Sequence, residues 1–315
     1  MATLTMPFTK TPLRISTMTV TANWGMPINL ITIFEQIKQH LIPIWYPGEG
    51  ILKFEHRGNV LGAAYKDIFT NRKVTSKSFF NQSTIVLRKC VEGASTWKEV
   101  NIKLFANGGI QMTGVSSKEF AVDSVMILLG ILRTLPRSPF EGSVAPTAVQ
   151  KVAVPLINTD YALDHDIQQD NLHQILIDEY NLFSMLEKTI YQGVNTKYFY
   201  NTTGARPGIC TCAKFCKGQG IGTGEGECKR ITMSIFRTGR IIITGARDMA
   251  QIHAAYEFLN GVFERHATDV LLKRAATATE QKTPVAVAVA VAVAVAVGGA
   301  GGPNPQHVED ELEDE

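Results

Sequence analysis

One stretch of this sequence occurs twice. Residues 102–115 read IKLFANGGIQMTGV and residues 233–246 read MSIFRTGRIIITGA. At a constant offset of 131 residues they share Phe105/Phe236, Gly108/Gly239, Ile110/Ile241, Thr113/Thr244 and Gly114/Gly245. Each copy is a short apolar strand, a glycine turn, a second apolar strand and a Thr-Gly pair, and a helical run follows each. Asn107-Gly108 and Thr238-Gly239 are turn signals, because glycine takes a positive φ at no steric cost. Such hairpins are common and two unrelated ones are the competing reading, but a repeat that stays in register over this length favours two like units.

The neighbouring segments repeat in the same order. Residues 13–24 (LRISTMTVTANW) are β-branched and partly alternating, which predicts a strand. Residues 28–41 place Leu30, Ile33, Phe34, Ile37 and Leu41 on one helical face, with Asn29 as N-cap. Strands are expected at 51–56 and 84–89, and a helix over 116–135 opened by a capping-box pattern at Ser116-Ser117-Lys118-Glu119. Prolines 136, 139 and 146 mark a linker. The second half repeats this with a strand at 148–162, a helix at 171–191, a strand at 196–201 and a long helix at 248–273. The expected class is α+β: a pseudo-two-fold pair of repeats sharing an antiparallel sheet, with helices on one face.

The expected organisation is an arm at 1–12, a first repeat at 13–140 with a long insertion at about 58–98, and a second repeat at 141–274 with a Cys/Gly-rich insertion at 204–228. Residues 275–315 form a low-complexity tail. In that tail residues 285–297 alternate Val and Ala, too short for a membrane span of about 20 apolar residues. Six of the last seven residues are acidic, which leaves the rest with 31 Lys+Arg against 23 Asp+Glu, a net of +8. A basic body suits a polyanion partner. Residues 57–98 interleave Lys and Arg with Tyr65, Phe69, Phe79 and Phe80. That pattern fits nucleic-acid contact and equally a solvated loop with aromatics tucked beneath it. The N-terminus carries no apolar signal region.

Four of the five cysteines cluster as Cys210, Cys212, Cys216 and Cys228, spaced Cys-x-Cys-x3-Cys-x11-Cys. Inside a cell such a cluster suits a structural zinc site, although the common Cys-x2-Cys arm is missing, and free thiols are the competing reading. The run GQGIGTGEG at 218–226 lacks the Gly-Lys-Ser/Thr of a phosphate loop and is expected to be a flexible loop. No Ser/His/Asp, Cys/His or paired-carboxylate arrangement can be placed, so an enzyme is not expected.

The pattern Phe-x-x-Gly-x-Ile-x-x-Thr-Gly ahead of a long helix, twice in one chain, resembles the TATA-box-binding protein family. Lys77-Ser78-Phe79-Phe80-Asn81-Gln82, Leu104–Gly108 and Ile241–Arg247 resemble its divergent relatives in large nucleocytoplasmic DNA viruses. The resemblance implies a saddle whose concave sheet sits on the DNA minor groove and whose helices face other transcription factors, with apolar wedges unstacking base steps. It further implies double-stranded promoter DNA, a transcription factor B-like protein and RNA polymerase subunits as partners, no membrane and no required cofactor. The implied location is the host nucleus, the viral factory or the virion.

Carried over residue by residue, Phe105 and Phe236 fall on wedge positions, Thr113 and Thr244 on the central threonines, Ile242 on an apolar groove position and Asn158 on a central asparagine, with Thr17 as its first-half counterpart. Gln111, Lys103 and Ser234 stand where the family has apolar residues. Asp160 is expected to face phosphate unfavourably. The second wedge of each half, expected near Gly50-Ile51 and near Thr196-Lys197, is not a phenylalanine. These departures imply an alternative: a saddle-fold interaction scaffold of the transcription apparatus that has lost specific TATA recognition.

Overall fold

The computed structural model describes residues 7–69, 81–91, 93, 96–214 and 216–274; the Val-Ala tract, the acidic end and Phe79-Phe80 lie outside them. In chain order the elements are β1 (Arg14–Asn23), α1 (Leu30–Gln36), β2 (Gly50–His56), β3 (Asn59–Gly62), α2 (Tyr65–Phe69), β4 (Gln82–Cys90), β5 (Trp97–Phe105), β6 (Gly109–Val115) and α3 (Lys118–Arg133). Then come β7 (Gln150–Ala162), β8 (His165–Ile167), α4 (Gln169–Asp178), β9 (Phe183–Glu187), β10 (Tyr191–Tyr200), β11 (Lys229–Phe236), β12 (Arg240–Ala246), α5 (Met249–Arg265), α6 (Ala267–Val270) and β13 (Leu271–Lys273).

Eleven strands form one sheet in the order β3-β2-β4-β5-β6-β1-β7-β12-β11-β10-β9. The seam between halves is the antiparallel pair β1–β7, and each half builds outward from it through its own hairpin. The register is two-fold in detail. Val20 faces Met112 and Met18 faces Val115 across one bulge; Thr159 faces Ile243 and Ile157 faces Ala246 across the matching one. The α+β class and the pseudo-two-fold pair of repeats are therefore present in the strand order and register.

Alternation sets the two faces of the sheet. Val20, Ile102, Met112, Met233, Ile241 and Ile243 are buried under α3 and α5, whose Leu128, Leu132, Leu259 and Phe263 complete one core. Their strand neighbours, such as Thr19, Thr21, Lys103, Gln111, Thr232 and Ile242, point to the opposite, half-open face. Asn29 caps α1 by accepting from the Thr32 N–H at 3.0 Å. The two turn glycines are obligatory: a Cβ on Gly108 would sit 2.0 Å from the Met26 carbonyl, and one on Gly239 would sit 2.3 Å from that of His165.

Four local expectations are corrected. The helix over 171–191 stops at Asp178, because Asn181 takes a φ of 54° and the Leu182 N–H reaches back to the Leu176 carbonyl. Phe183–Glu187 then runs as an edge strand on β10. The helix over 248–273 ends at Arg265, and Leu271–Lys273 pairs with β8 instead. The N-cap of α3 is Ser117, accepting from Phe120 N–H at 3.0 Å, so the Ser116–Glu119 capping box does not form. The glycine run at 218–226 is not a loose loop: it folds back as a paired ladder, Arg230 N–H to Gly218 O, Gly220 N–H to Cys228 O and Gly222 N–H to Glu227 O.

Candidate nucleic-acid interface

The half-open face gathers most of the residues singled out from the sequence. In the second half Ile242 stands beside Asp160 on one side and Ser234 on the other, with Thr244 beside Asn158 and Thr232. In the first half Lys103 stands beside Gln111 and Thr84, and Thr113 beside Asn101. Phe105 and Phe236 occupy matching ends of β5 and β11, both half-buried.

Tyr191 was not singled out from the sequence. It lies at the start of β10, 40% exposed, with its ring centroid 5.6 Å from that of Phe236 and the planes inclined at 60°. Gly193 faces Phe236 across the ladder, and a Cβ there would come within 2.9 Å of the Tyr191 ring and 3.2 Å of the Phe236 ring. The glycine is thus what lets the two rings meet. Phe183 and Met185, 58% and 50% exposed on edge strand β9, continue the apolar surface outward. The expected second-wedge positions carry no wedge: Ile51 and Thr196 are fully buried on the helix-covered side.

At the seam, the two-fold register makes Thr19, not Thr17, the counterpart of Asn158. Thr17 instead lies directly across the seam from Asn158. The strand TMTVT offers a threonine at every second place, so only the register decides which of them matches Asn158. The Thr244 hydroxyl bonds to Asn158 Oδ1. With its oxygen so engaged, the half-buried Asn158 side chain keeps the two N–H donors of its amide.

Asp160 is also corrected. Its carboxylate takes Arg14 through Nε at 3.1 Å and Nη2 at 2.9 Å, and Arg240 Nη2 at 2.9 Å. The hydrogen bonds from Arg14 hold the carboxyl below its usual range, and Arg240 adds to them against the opposing effect of burial. The cluster presents two exposed guanidinium groups around one buried carboxylate, a net positive site rather than a repulsive one.

Part of the expected first-half insertion folds onto this same face. Tyr65 N–H donates to Glu99 Oε1 at 2.7 Å, Lys53 Nζ pairs with Asp67 at 2.9 Å, and Ala64 is only 3% exposed. Lys53, Glu99, Val86 and Asn101 are open-face residues of β2, β5 and β4.

The four clustered cysteines meet in the second insertion. Their sulfurs lie within 4.8 Å of one another, with Cys212–Cys228 at 3.5 Å and Cys228–Cys210 at 3.7 Å. A tetrahedral zinc with Zn–S of about 2.3 Å needs sulfurs about 3.8 Å apart, so the set fits. The Gly226 N–H and Asn201 Nδ2 donate to Cys212 and Cys228 sulfurs at 3.2 Å and 3.4 Å, the kind of support a thiolate takes.

No family model matches the chain. A curated mimivirus protein described as TATA-box-binding protein-like is 29% identical over 212 residues, which is 62% of this chain and 51% of that protein. The chain thus spans about half the length of that relative. Among solved structures, Methanococcus jannaschii TBP aligns at 13% identity with a TM-score of 0.42, covering 82% of this chain and 99% of that one.

Proposed function

We propose that this chain, similar in sequence to a TATA-box-binding protein-like relative, binds duplex DNA through the half-open face of its sheet. It then acts as a transcription initiation factor that bends promoter DNA from the minor groove. The observation that carries the reading is the placement of Phe105 with Thr113 and Phe236 with Thr244 on one face, at matching places either side of the β1–β7 seam. Hydroxyl and amide donors from Thr19, Thr113 and Asn158 suit the A·T minor groove, which offers only acceptors, while Thr244 spends its O–H on orienting the Asn158 amide. Aromatic side chains at the ends unstack base steps, and the bent duplex covers more protein. Lys103, Arg14, Arg240 and Arg230 supply phosphate contacts. In this reading the helix face, α3 and α5 above all, is left for a transcription factor B-like protein and polymerase subunits. Binding without chemistry is the role assigned, not catalysis.

The Phe236–Tyr191 pair gives the second half two aromatic wedges. Within this proposal Cys210, Cys212, Cys216 and Cys228 hold one Zn²⁺, which supplies a structural cross-link that orders the segment between β10 and β11.

One observation favours a second reading. The α2 segment lies on the first half's open face, as expected of a scaffold that no longer seats DNA along the whole sheet. Replacing A·T by inosine·cytosine pairs decides between the readings, because the substitution keeps the minor-groove pattern and changes the major groove. Retained binding to the substituted duplex supports minor-groove engagement. No binding to either duplex supports the scaffold.

A further inference from the structure

The two halves of the sheet differ most in what lies on their outer open face. In the first half, residues 63–69 cross it. Gly62, at a φ of +74°, turns the chain back so closely that a Cβ there would sit 2.1 Å from the Leu52 carbonyl. The Ala63 N–H donates to that same carbonyl at 3.1 Å. Asp67 then binds both Lys53 Nζ at 2.9 Å and the Ala64 N–H at 2.8 Å, while Glu99 receives the Tyr65 N–H. A cavity of about 100 Å³ between this segment and the sheet is lined by Lys53, Thr84, Val86 and Asn101.

Across the pseudo-dyad the chemistry is inverted. At the repeat's offset of 131 residues, Glu99 corresponds to Arg230 and Asn101 to Thr232. Arg230 is exposed, and Lys197, which bonds Thr232 at 3.0 Å, stands next to it. One half thus carries an acid that anchors a chain segment where the other carries a cation available to phosphate.

We propose that residues 63–69 are a built-in cover of the first half's outer open face, and that duplex DNA and this cover exclude each other there. The inference rests on the DNA-binding reading of that face. The cover occupies Lys53, Val86 and Asn101, which a duplex laid symmetrically across the sheet would need. The free protein therefore engages DNA first through the second half and the seam. Full engagement follows only when the Gly62 turn and the Lys53–Asp67 and Tyr65–Glu99 contacts give way. The polarity of binding is set by this asymmetry.

The experiment uses the full chain. A carbodiimide joins the Lys53 amine to the Asp67 carboxyl as an amide, read by peptide mass spectrometry, with and without a saturating A·T-rich duplex. In parallel, hydroxyl-radical footprints and affinities are measured for the parent, Gly62→Ala and Asp67→Asn. Gly62→Ala leaves the charge unchanged, so any gain it gives is not electrostatic.

We expect the cross-link in the free protein and its suppression by DNA. The cross-linked protein should give a footprint shortened on one side, and Gly62→Ala should bind about tenfold tighter, the gain when a state populated about one part in ten becomes dominant. A cross-link that persists at saturating DNA, with Gly62→Ala unchanged in affinity and footprint, overturns the cover while leaving the DNA reading intact. Absence of the cross-link from the free protein also overturns the cover. Absence of duplex binding by parent and variants alike overturns both.

Discussion

Tyr191 stands against Phe236 with ring centroids 5.6 Å apart, and Gly193 is the residue whose missing side chain lets them meet. A tilted aromatic pair at the end of an open sheet face is a rigid apolar edge of the size that enters a base step. Either Tyr191→Ala or Phe236→Ala should lower duplex affinity about tenfold, or ~1.4 kcal/mol. A double-mutant cycle should return a coupling of about 0.5–1.5 kcal/mol, the range for aromatic pairs in contact. Gly193→Ala should reduce bending with both rings still present. Additive losses in titrations of the three variants and the double would show that the rings act separately.

Asp160 joins Arg14 and Arg240 on the open face, so its removal should have opposite effects on stability and on binding. Asp160→Asn leaves two guanidinium groups without their carboxylate, and thermal unfolding should shift downward. The same variant adds one unit of positive charge, and the salt dependence of DNA binding should steepen by about one phosphate contact.

Acid titration should report the same cluster. Arg14 holds the folded-state pKa of Asp160 below its usual value. At Asp164 burial pushes upward, but hydrogen bonds from His165 and Thr9 outweigh it and bring the group to about 2. Both carboxylates are thus more acidic folded than unfolded. The stability they contribute is complete above an unfolded pKa of about 4 and is lost as pH falls through their lower folded values, about 2 for Asp164. Asp160→Asn should flatten part of that loss. An unchanged acid-unfolding profile would mean that the Arg14 contact does not persist in solution.

The cysteine cluster should hold zinc. Protein purified without chelator should contain one zinc per chain by elemental analysis, and Cys228→Ser should release it. Chelation should open the segment between β10 and β11 to protease while leaving the core hairpins protected. Metal-free protein with the same protease pattern would leave the cysteines as free thiols.

Sequence discrimination should be weak. Gln111 and Lys103 sit side by side on the open face. Glutamine can accept from the guanine amino group that an apolar groove face would reject, and lysine reaches phosphate whatever the sequence. A mismatched base pair usually costs about 1–3 kcal/mol, and this face should sit at the low end. Gln111→Val should raise the ratio of TATA to G·C-substituted duplex in competition at fixed salt. A parent ratio above about a thousandfold would contradict this.

The hairpins were legible because a repeat in register carries strand, turn and helix entry together, and Phe105/Phe236 with Thr113/Thr244 came out on one face as the alternation required. The edge of the second half was not legible. Leu182, Phe183 and Leu186 match a helical stripe as well as they match alternation, and only the positive φ at Asn181 and the pairing with β10 decide it. Misplacing that strand hid Tyr191, because a residue at the end of a supposed helix is not looked for beside Phe236. Asp160 looked hostile to DNA because Arg14 and Arg240 are far from it in sequence. The path of residues 63–69 over the sheet rests on Lys53 and Glu99, contacts that no local pattern announces.

The most direct test of the account is a bend measurement. An A·T-rich duplex labelled at its ends for energy transfer is titrated with the full chain and with the Phe105→Ala/Phe236→Ala double variant, at one stated salt concentration. The account predicts that the parent draws the ends together, and that the double variant still binds through its basic residues but leaves the duplex close to straight. Equal bending by parent and double variant, or tight binding by the parent with no bend at all, would contradict it.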